Sequence, residues 1–194
     1  MSYIRTSSGL NVSLERPDPA TIQLADIAWG LAGLNRYTGQ TKHRTLRINV
    51  ACHSLNVARQ LGLMQAEPGT QLLGLLHDAH EAYIGDITSP VKTLLRAMAG
   101  VDHVEVMATR LDMAIRVAFN LQRFAYSFAL QQVAKADAQV LAAEWRDWMS
   151  GPCPVNIEPA SFAIKPRSPD RAEQLFLETF AHLTAEAGTT SSSG

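Results

Sequence analysis

The chain has 194 residues, enough for one domain with a substantial core. Hydrophobic residues make up 46% and charged residues 18%, which excludes a disordered or charge-repelled chain. A formal net charge of -1 excludes a hold on nucleic acid or membrane by bulk charge, so neither a nucleic-acid polymer nor a membrane is an expected partner, and an anionic ligand must be held by local groups.

Along the first sixteen residues, Tyr3 and Arg5, then Leu10, Val12 and Leu14 across Ser8-Gly9, alternate as a small β-hairpin does. Asp18-Pro19-Ala20 supplies a capping carboxylate and a first-turn proline for a helix carrying Ile22, Leu24, Ala25, Ile27, Trp29 and Leu31 and ending near Gly33. Residues 35–47 are polar and basic and read as a loop. Leu46, Val50, Val57 and Leu61 mark a second helix that stops at Gly62, with His53 on its apolar stripe. Pro68-Gly69-Thr70 opens a third helix, whose leucines run straight into His77-Asp78-Ala79-His80-Glu81. Gly85 and Pro90 then interrupt the pattern, and helical periodicity returns over 91–98, 104–118 and 130–149.

Four prolines (Pro152, Pro154, Pro159 and Pro166) forbid a helix over 150–167, and Val155, Ile157, Phe162 and Ile164 anchor that extended stretch. Ser168-Pro169-Asp170 caps a last helix bearing Leu175, Phe176, Phe180 and Leu183; residues 189–194 are small and polar and are expected to be disordered. The fold class is therefore all-α, a helical bundle with a small N-terminal hairpin, in one domain over 1–188. Cys52 and Cys153 are too few for a disulfide framework, and no apolar leader appears near Met1, so a reducing cytoplasm is the expected setting.

Titratable groups stand where a helical protein places apolar ones. At 100° per residue, Val133, Val140, Leu141 and Trp148 fall within about 60° of Asp137, so its carboxylate lies amid an apolar face and needs a partner or a metal. His53 sits between Val50 and Val57, and His77 and Asp78 follow Leu75 and Leu76. Alone, Asp137 reads equally well as a hydrogen-bonded buried residue, and a histidine such as His53 on an apolar face is more often a core residue than a ligand. Together, His53, His77, Asp78 and Asp137 offer imidazole nitrogens and carboxylate oxygens suited to Zn²⁺, Co²⁺, Mn²⁺ or Fe²⁺. Glu81, one helical turn beyond His77, places a further carboxylate near them for proton transfer. Arg36, Lys42, His43, Arg44, Arg47 and Lys92 form a basic set able to neutralise phosphate, and the chain has neither a Walker loop nor a dinucleotide fingerprint.

The constellation resembles the HD superfamily of metal-dependent phosphohydrolases. The likeness rests on Cys52-His53-Ser54, on His77-Asp78, on Lys135-Ala136-Asp137, and on the run from Glu81 through Gly85-Asp86-Ile87-Thr88-Ser89-Pro90-Val91-Lys92. That run is similar to a signature of the 5′-deoxynucleotidase branch and its phage relatives. The stretches Asp26-Ile27-Ala28-Trp29 and Asn35-Arg36-Tyr37-Thr38-Gly39 are similar to the phage dATP triphosphohydrolases. The resemblance implies metal ligands at His53, His77, Asp78 and Asp137, with a divalent transition metal (Zn²⁺, Co²⁺ or Mn²⁺) and room for additional Mg²⁺. It implies catalytic roles for Glu81 and for Asp86, the latter at the sugar hydroxyl. Substrate contacts are implied at Arg36 and Tyr37, where the deoxynucleotidases place Trp after the arginine, and Lys92 and His43 are the further candidates from the basic set.

The activity so implied is hydrolysis of deoxynucleoside 5′-phosphates by a homo-oligomer, foremost dATP to deoxyadenosine and triphosphate, in a host cytoplasm if phage-encoded. The alternatives are a 5′-deoxynucleotidase acting on monophosphates, a cyclic nucleotide phosphodiesterase, and a helical binding module without activity.

Overall fold

The computed structural model describes residues 2–189, and residues 190–194 of the expected tail lie outside them. Eight α-helices and one two-stranded hairpin among the described residues make an all-α fold. The hairpin pairs β1 (Tyr3–Arg5) with β2 (Asn11–Ser13) in the register Ile4 opposite Val12, and its turn uses Gly9 at φ +86°, a left-handed conformation that glycine adopts without strain. Val12 is fully buried, which ties the hairpin to the body.

Helix α1 (Leu24–Gly33) ends where the sequence predicts but begins later. Asp18 does cap, accepting from the Ala20 N–H at 2.9 Å, yet it caps only a 3₁₀ turn over Pro19–Thr21, because Ile22 then turns extended (φ -90°, ψ 120°) to bury its side chain. Trp29, expected on the apolar face of α1, is 56% exposed; Asp26, Ile27, Ala28, Leu31 and Ala32 are the buried residues. Buried Asp26 is satisfied by the hairpin tip, accepting from Ser7 Oγ (2.6 Å), Ser8 N (2.9 Å) and Ser8 Oγ (2.6 Å).

Helix α2 (Val50–Leu63) begins at the Asn49 cap, whose side chain accepts from the Cys52 N–H, so Leu46 lies outside it and is exposed. It runs past Gly62, and the chain reverses at Gln65 with φ +57°. Helix α3 (Pro68–Leu75) packs on α2 at Gly74, where the Leu61 side chain fills the space a Cβ would take.

The expected continuous helix through His77 to Glu81 is broken. Residues 76–80 form a turn before the short α4 (Glu81–Ile84). In a continuous helix the Gly74 carbonyl would accept from the Asp78 N–H. Here it lies 2.8 Å from His77 Nδ1, so the imidazole has taken the place of the backbone donor.

The remaining helices are α5 (Ser89–Ala99), α6 (His103–Ala118), α7 (Ser127–Trp148) and α8 (Pro169–Thr189). The core lies where α2 meets α3, α7 and α8, with α1 on α8, and its buried apolar residues run from Val12 to Ala187. The extended stretch after α7 is strapped back onto it. Arg146 donates to the Ala160 and Phe162 carbonyls, Trp148 Nε1 donates to the Ile164 carbonyl at 2.9 Å, and the Ile164 N–H donates to Asp147. Phe162 and Ile164 are its buried anchors, while Val155 and Ile157 are half-buried.

Replacing Asp26 with Asn should release the hairpin tip at a cost of about 2 kcal/mol, or roughly 4–8 °C in Tm at neutral pH. Burial works to raise the Asp26 pKa, but hydrogen bonds from Ser7, Ser8 and Thr6 outweigh it and hold the carboxyl below its ordinary 3.8. A depressed folded-state pKa adds stability above the unfolded pKa and loses it as pH falls through the folded one. The gap between wild type and D26N should therefore be full at pH 7 and shrink below about pH 4. Thermal unfolding across pH checks this, and equal Tm values at pH 7 would contradict it.

Candidate metal centre and active-site cleft

Helix α7 carries the charge that organises the site, and it is not the charge the helical pattern singled out. Asp137, expected in the middle of the apolar face, sits at its rim with a side chain 40% exposed. The sealed acid is Glu144, with 0% exposure. Seven residues separate the two, so the same 100° count places Glu144 within about 20° of Asp137, between Val140 and Trp148. The signal was present in the sequence.

Glu144 meets three donors. Its Oε2 accepts from Arg36 Nε at 2.9 Å and from the Tyr37 hydroxyl at 2.6 Å, and its Oε1 lies 3.0 Å from His53 Nδ1. Burial alone would raise the Glu144 pKa, but the charges of Arg36 and His53 hold the carboxyl below its ordinary range. An ionised carboxylate only accepts, so His53 Nδ1 carries a proton. His77 Nδ1 likewise donates to the Gly74 carbonyl. Nε2 is then the ring atom that titrates, charged beside the carboxylates while it carries a proton and free to ligate a cation once that proton leaves. Both Nε2 atoms are buried without a hydrogen-bond partner.

Those two nitrogens face two carboxylates. His53 Nε2 is 3.0 Å from Asp137 Oδ1 and 3.6 Å from Asp78 Oδ2; His77 Nε2 is 3.1 Å from Asp78 Oδ2 and 3.8 Å from Asp137 Oδ1. Ligands about 2.1 Å from one ion stand roughly 3.0–3.4 Å apart; His53, His77 and Asp137 offer donor atoms within 4.8 Å of one another and could hold a divalent cation, with Asp78 Oδ2, 3.6 Å and 3.1 Å from the same two nitrogens, as the further candidate. Burial by itself would lower both histidine pKa values and raise those of Asp78 and Asp137. The opposite holds for all four, because carboxylate and imidazole charges dominate one another's surroundings. The donors are held in turn by Glu144 and by the Gly74 carbonyl, the arrangement in which outer hydrogen bonds orient metal-binding imidazoles.

Beside the four donors lies a cleft of about 910 Å³, lined among others by Arg36, Tyr37, Asp78, Glu81, Asp86, Lys92 and Asp137. Glu81 is 5% exposed, and its Oε2 has no hydrogen-bond partner. Burial, assisted by the neighbouring Asp78 and Asp86 carboxylates, pushes its pKa up to about 8. Burial likewise raises Asp86. Arg36 spends Nε on Glu144, and its Nη1 lies 3.8 Å from Asp78 Oδ2 on the cleft side. Tyr37 adopts φ +57°, which brings its hydroxyl to Glu144 and its ring edge-on to Trp145 at 5.8 Å.

The basic set does not assemble as a unit. Arg36 and Lys92 line the cleft. His43, a candidate substrate contact, is not among the residues lining the cleft: its ring packs 4.5 Å from that of Trp148, and its Nε2 lies 3.4 Å from the Asp147 carbonyl. Arg47 is drawn away to the carbonyls of His43, Arg44 and Leu46, and Lys42 to that of Arg146. Sequence reasoning missed, besides Glu144, the wall made by Leu141, Trp145, Pro154 and Val155, and the pairing of His80 Nδ1 with Asp112 Oδ1 at 3.0 Å that braces the 76–80 turn.

The chain belongs to the HD-domain family, a class of metal-dependent phosphohydrolases. The HD domain matches residues 50–138, the stretch that holds all four donors. Protein YfdR of Escherichia coli is 30% identical over 194 residues, covering 95% of this chain and 97% of that protein. An uncharacterized protein of Rhodobacter capsulatus is 39% identical over 124 residues, which span 62% of this chain and 59% of the relative. No helix among the described residues is long and apolar enough to cross a membrane.

Truncating Glu144 to Ala should leave Arg36 charged and without its buried partner. The expected loss is about 3–5 kcal/mol, seen as a fall of roughly 6–20 °C in Tm. An unchanged Tm in E144A would contradict the bridging role of this carboxylate.

Proposed function

We propose that the chain hydrolyses deoxynucleoside 5′-phosphates at the P–O5′ bond. The observation that supports this most is the juxtaposition, in one nucleotide-sized cleft, of four metal-binding donors, an arginine and a buried carboxyl without a partner. His53, His77, Asp78 and Asp137 would hold the cation; when bound, a divalent ion such as Zn²⁺, Co²⁺ or Mn²⁺ supplies the positive charge that acidifies water and polarises a phosphoryl oxygen.

The chain's own residues do the rest. Arg36, fixed through Nε by Glu144, presents its outer nitrogens to the phosphate, and Lys92 adds a second positive charge. Glu81, whose Oε2 is buried without a partner at the cleft, would take a proton from the attacking water. Asp86, which also lines the cleft, would accept from a sugar hydroxyl. Tyr37 and Trp145 form an aromatic wall for sugar and base, and Tyr37 cannot move without breaking its bond to Glu144.

Charge favours the monophosphate. Of the basic set only Arg36 and Lys92 line the cleft, and Arg36 is already paired with Glu144, so the side chains leave little positive charge for more than one phosphate group. Cleavage of dATP to deoxyadenosine and triphosphate breaks the same P–O5′ bond and is the second reading, favoured by the cleft volume of about 910 Å³, with additional Mg²⁺ offsetting the extra phosphate charge.

Product analysis with dAMP, dATP and AMP in Co²⁺, Zn²⁺ or Mn²⁺ tests this. Orthophosphate from dAMP is the expected result, with kcat lowered about 10²–10⁴-fold in E81Q. Triphosphate from dATP alone would select the second reading. No release from any 5′-nucleotide, or full activity in E81Q, would overturn the proposal.

A further inference from the structure

Helix α5 is turned the wrong way for a helix of a lone chain. It is eleven residues long, and none of them is buried. A helix of that length holds poorly in water without an apolar face packed against something. At 100° per residue, Val91, Leu94, Leu95 and Met98 form one stripe, and Ser89, Lys92, Thr93 and Arg96 the opposite one. The polar stripe faces the protein: Ser89, Lys92 and Thr93 line the cleft, and Lys92 is the only half-buried residue of the helix. The apolar stripe faces outward, with Val91 46%, Leu94 60%, Leu95 43% and Met98 76% exposed, and Val101 beyond the Gly100 cap adds 50%.

We infer that this stripe is the contact between two copies of the chain, each α5 docking on its partner's. The inference goes beyond the proposed reaction and does not rest on it. The exposed apolar area of these five residues is on the order of 450 Å². A stable dimer buries about 800 Å² per partner, roughly two-thirds of it apolar in homodimers, so the stripe supplies close to the apolar core required. A single helix face pairs with itself across a two-fold axis, and a chain of net charge -1 repels its copy little. A lipid surface fits less well. The helix carries no aromatic residue, Lys92 turns inward, and Arg96 lies 4.0 Å from Asp102 rather than flanking an apolar face. Since the first turn of α5 forms one wall of the cleft, docking would also fix that wall.

The test is the mass of the full chain by analytical ultracentrifugation from sub-micromolar to tens of micromolar concentration, with hydrogen–deuterium exchange of residues 89–99 over the same range. Wild type should reach twice the chain mass, and α5 amides should become protected as it does. The double variant L94E/M98E, changed only at exposed positions, should raise the dimer dissociation constant about 100-fold or more while keeping its helical circular dichroism. L63E, at an exposed residue ending α2, should dimerise as wild type does. A wild type that stays monomeric, an L94E/M98E variant that dimerises as tightly, or α5 exchange independent of concentration would each overturn the inference. Protection of α5 only on vesicles of anionic phospholipid would overturn it in favour of a membrane surface.

Discussion

A carboxylate sealed from water needs positive partners in fixed places, and in this fold that requirement falls on Glu144. Arg36 arrives from the turn after α1, His53 from the middle of α2, and Glu144 from the last turns of α7, so one buried ion locks three remote parts of the chain in register. The same bonds set the chemistry. By accepting from His53 Nδ1, Glu144 leaves Nε2 as the titrating ring atom, on the side of Asp78 and Asp137. By accepting from Arg36 Nε, it turns the rest of the guanidinium to the cleft. A glutamine would not serve both sides, since an amide offers one acceptor atom where two are used.

The second constraint is the interruption at residues 76–80. Had the helix continued, His77, Asp78 and Glu81 would lie on one rigid face with their carbonyls and amides consumed. Instead His77 hydrogen-bonds the Gly74 carbonyl, Asp78 reaches across to both imidazoles, and Glu81 starts a new helix with its carboxyl sealed beside the cleft. The two histidine rings, one from α2 and one from the turn after α3, stand 5.2 Å apart between centroids where α3 packs on α2.

Much of this is legible in the sequence. Helical spacing marks the elements, and polar residues on apolar stripes point to His53, His77, Asp78 and Asp137. The features that escape have physical reasons. The Asp18-Pro19 cap opens a single 3₁₀ turn because Ile22 must turn inward, a tertiary demand no local pattern carries. The break after Leu75 depends on a side chain displacing a backbone donor, which periodicity cannot register. The basic residues of 42–47 share composition with Arg36 but not its destination, since Glu144 attracts only the one that reaches it. Glu144 itself is within reach of the helical count, but a Glu near a helix end ordinarily reads as solvated.

The chemistry of the site turns on whether the buried Glu144 aims four donors at one cation. Titration of the metal-free full chain with Co²⁺, followed by visible absorption, reads that directly. It should show one saturable equivalent per chain, lost in H53A and D137A and weakened about 10–100-fold in E144Q. An absence of saturable binding, or an H53A variant that binds Co²⁺ as tightly as wild type, would contradict it.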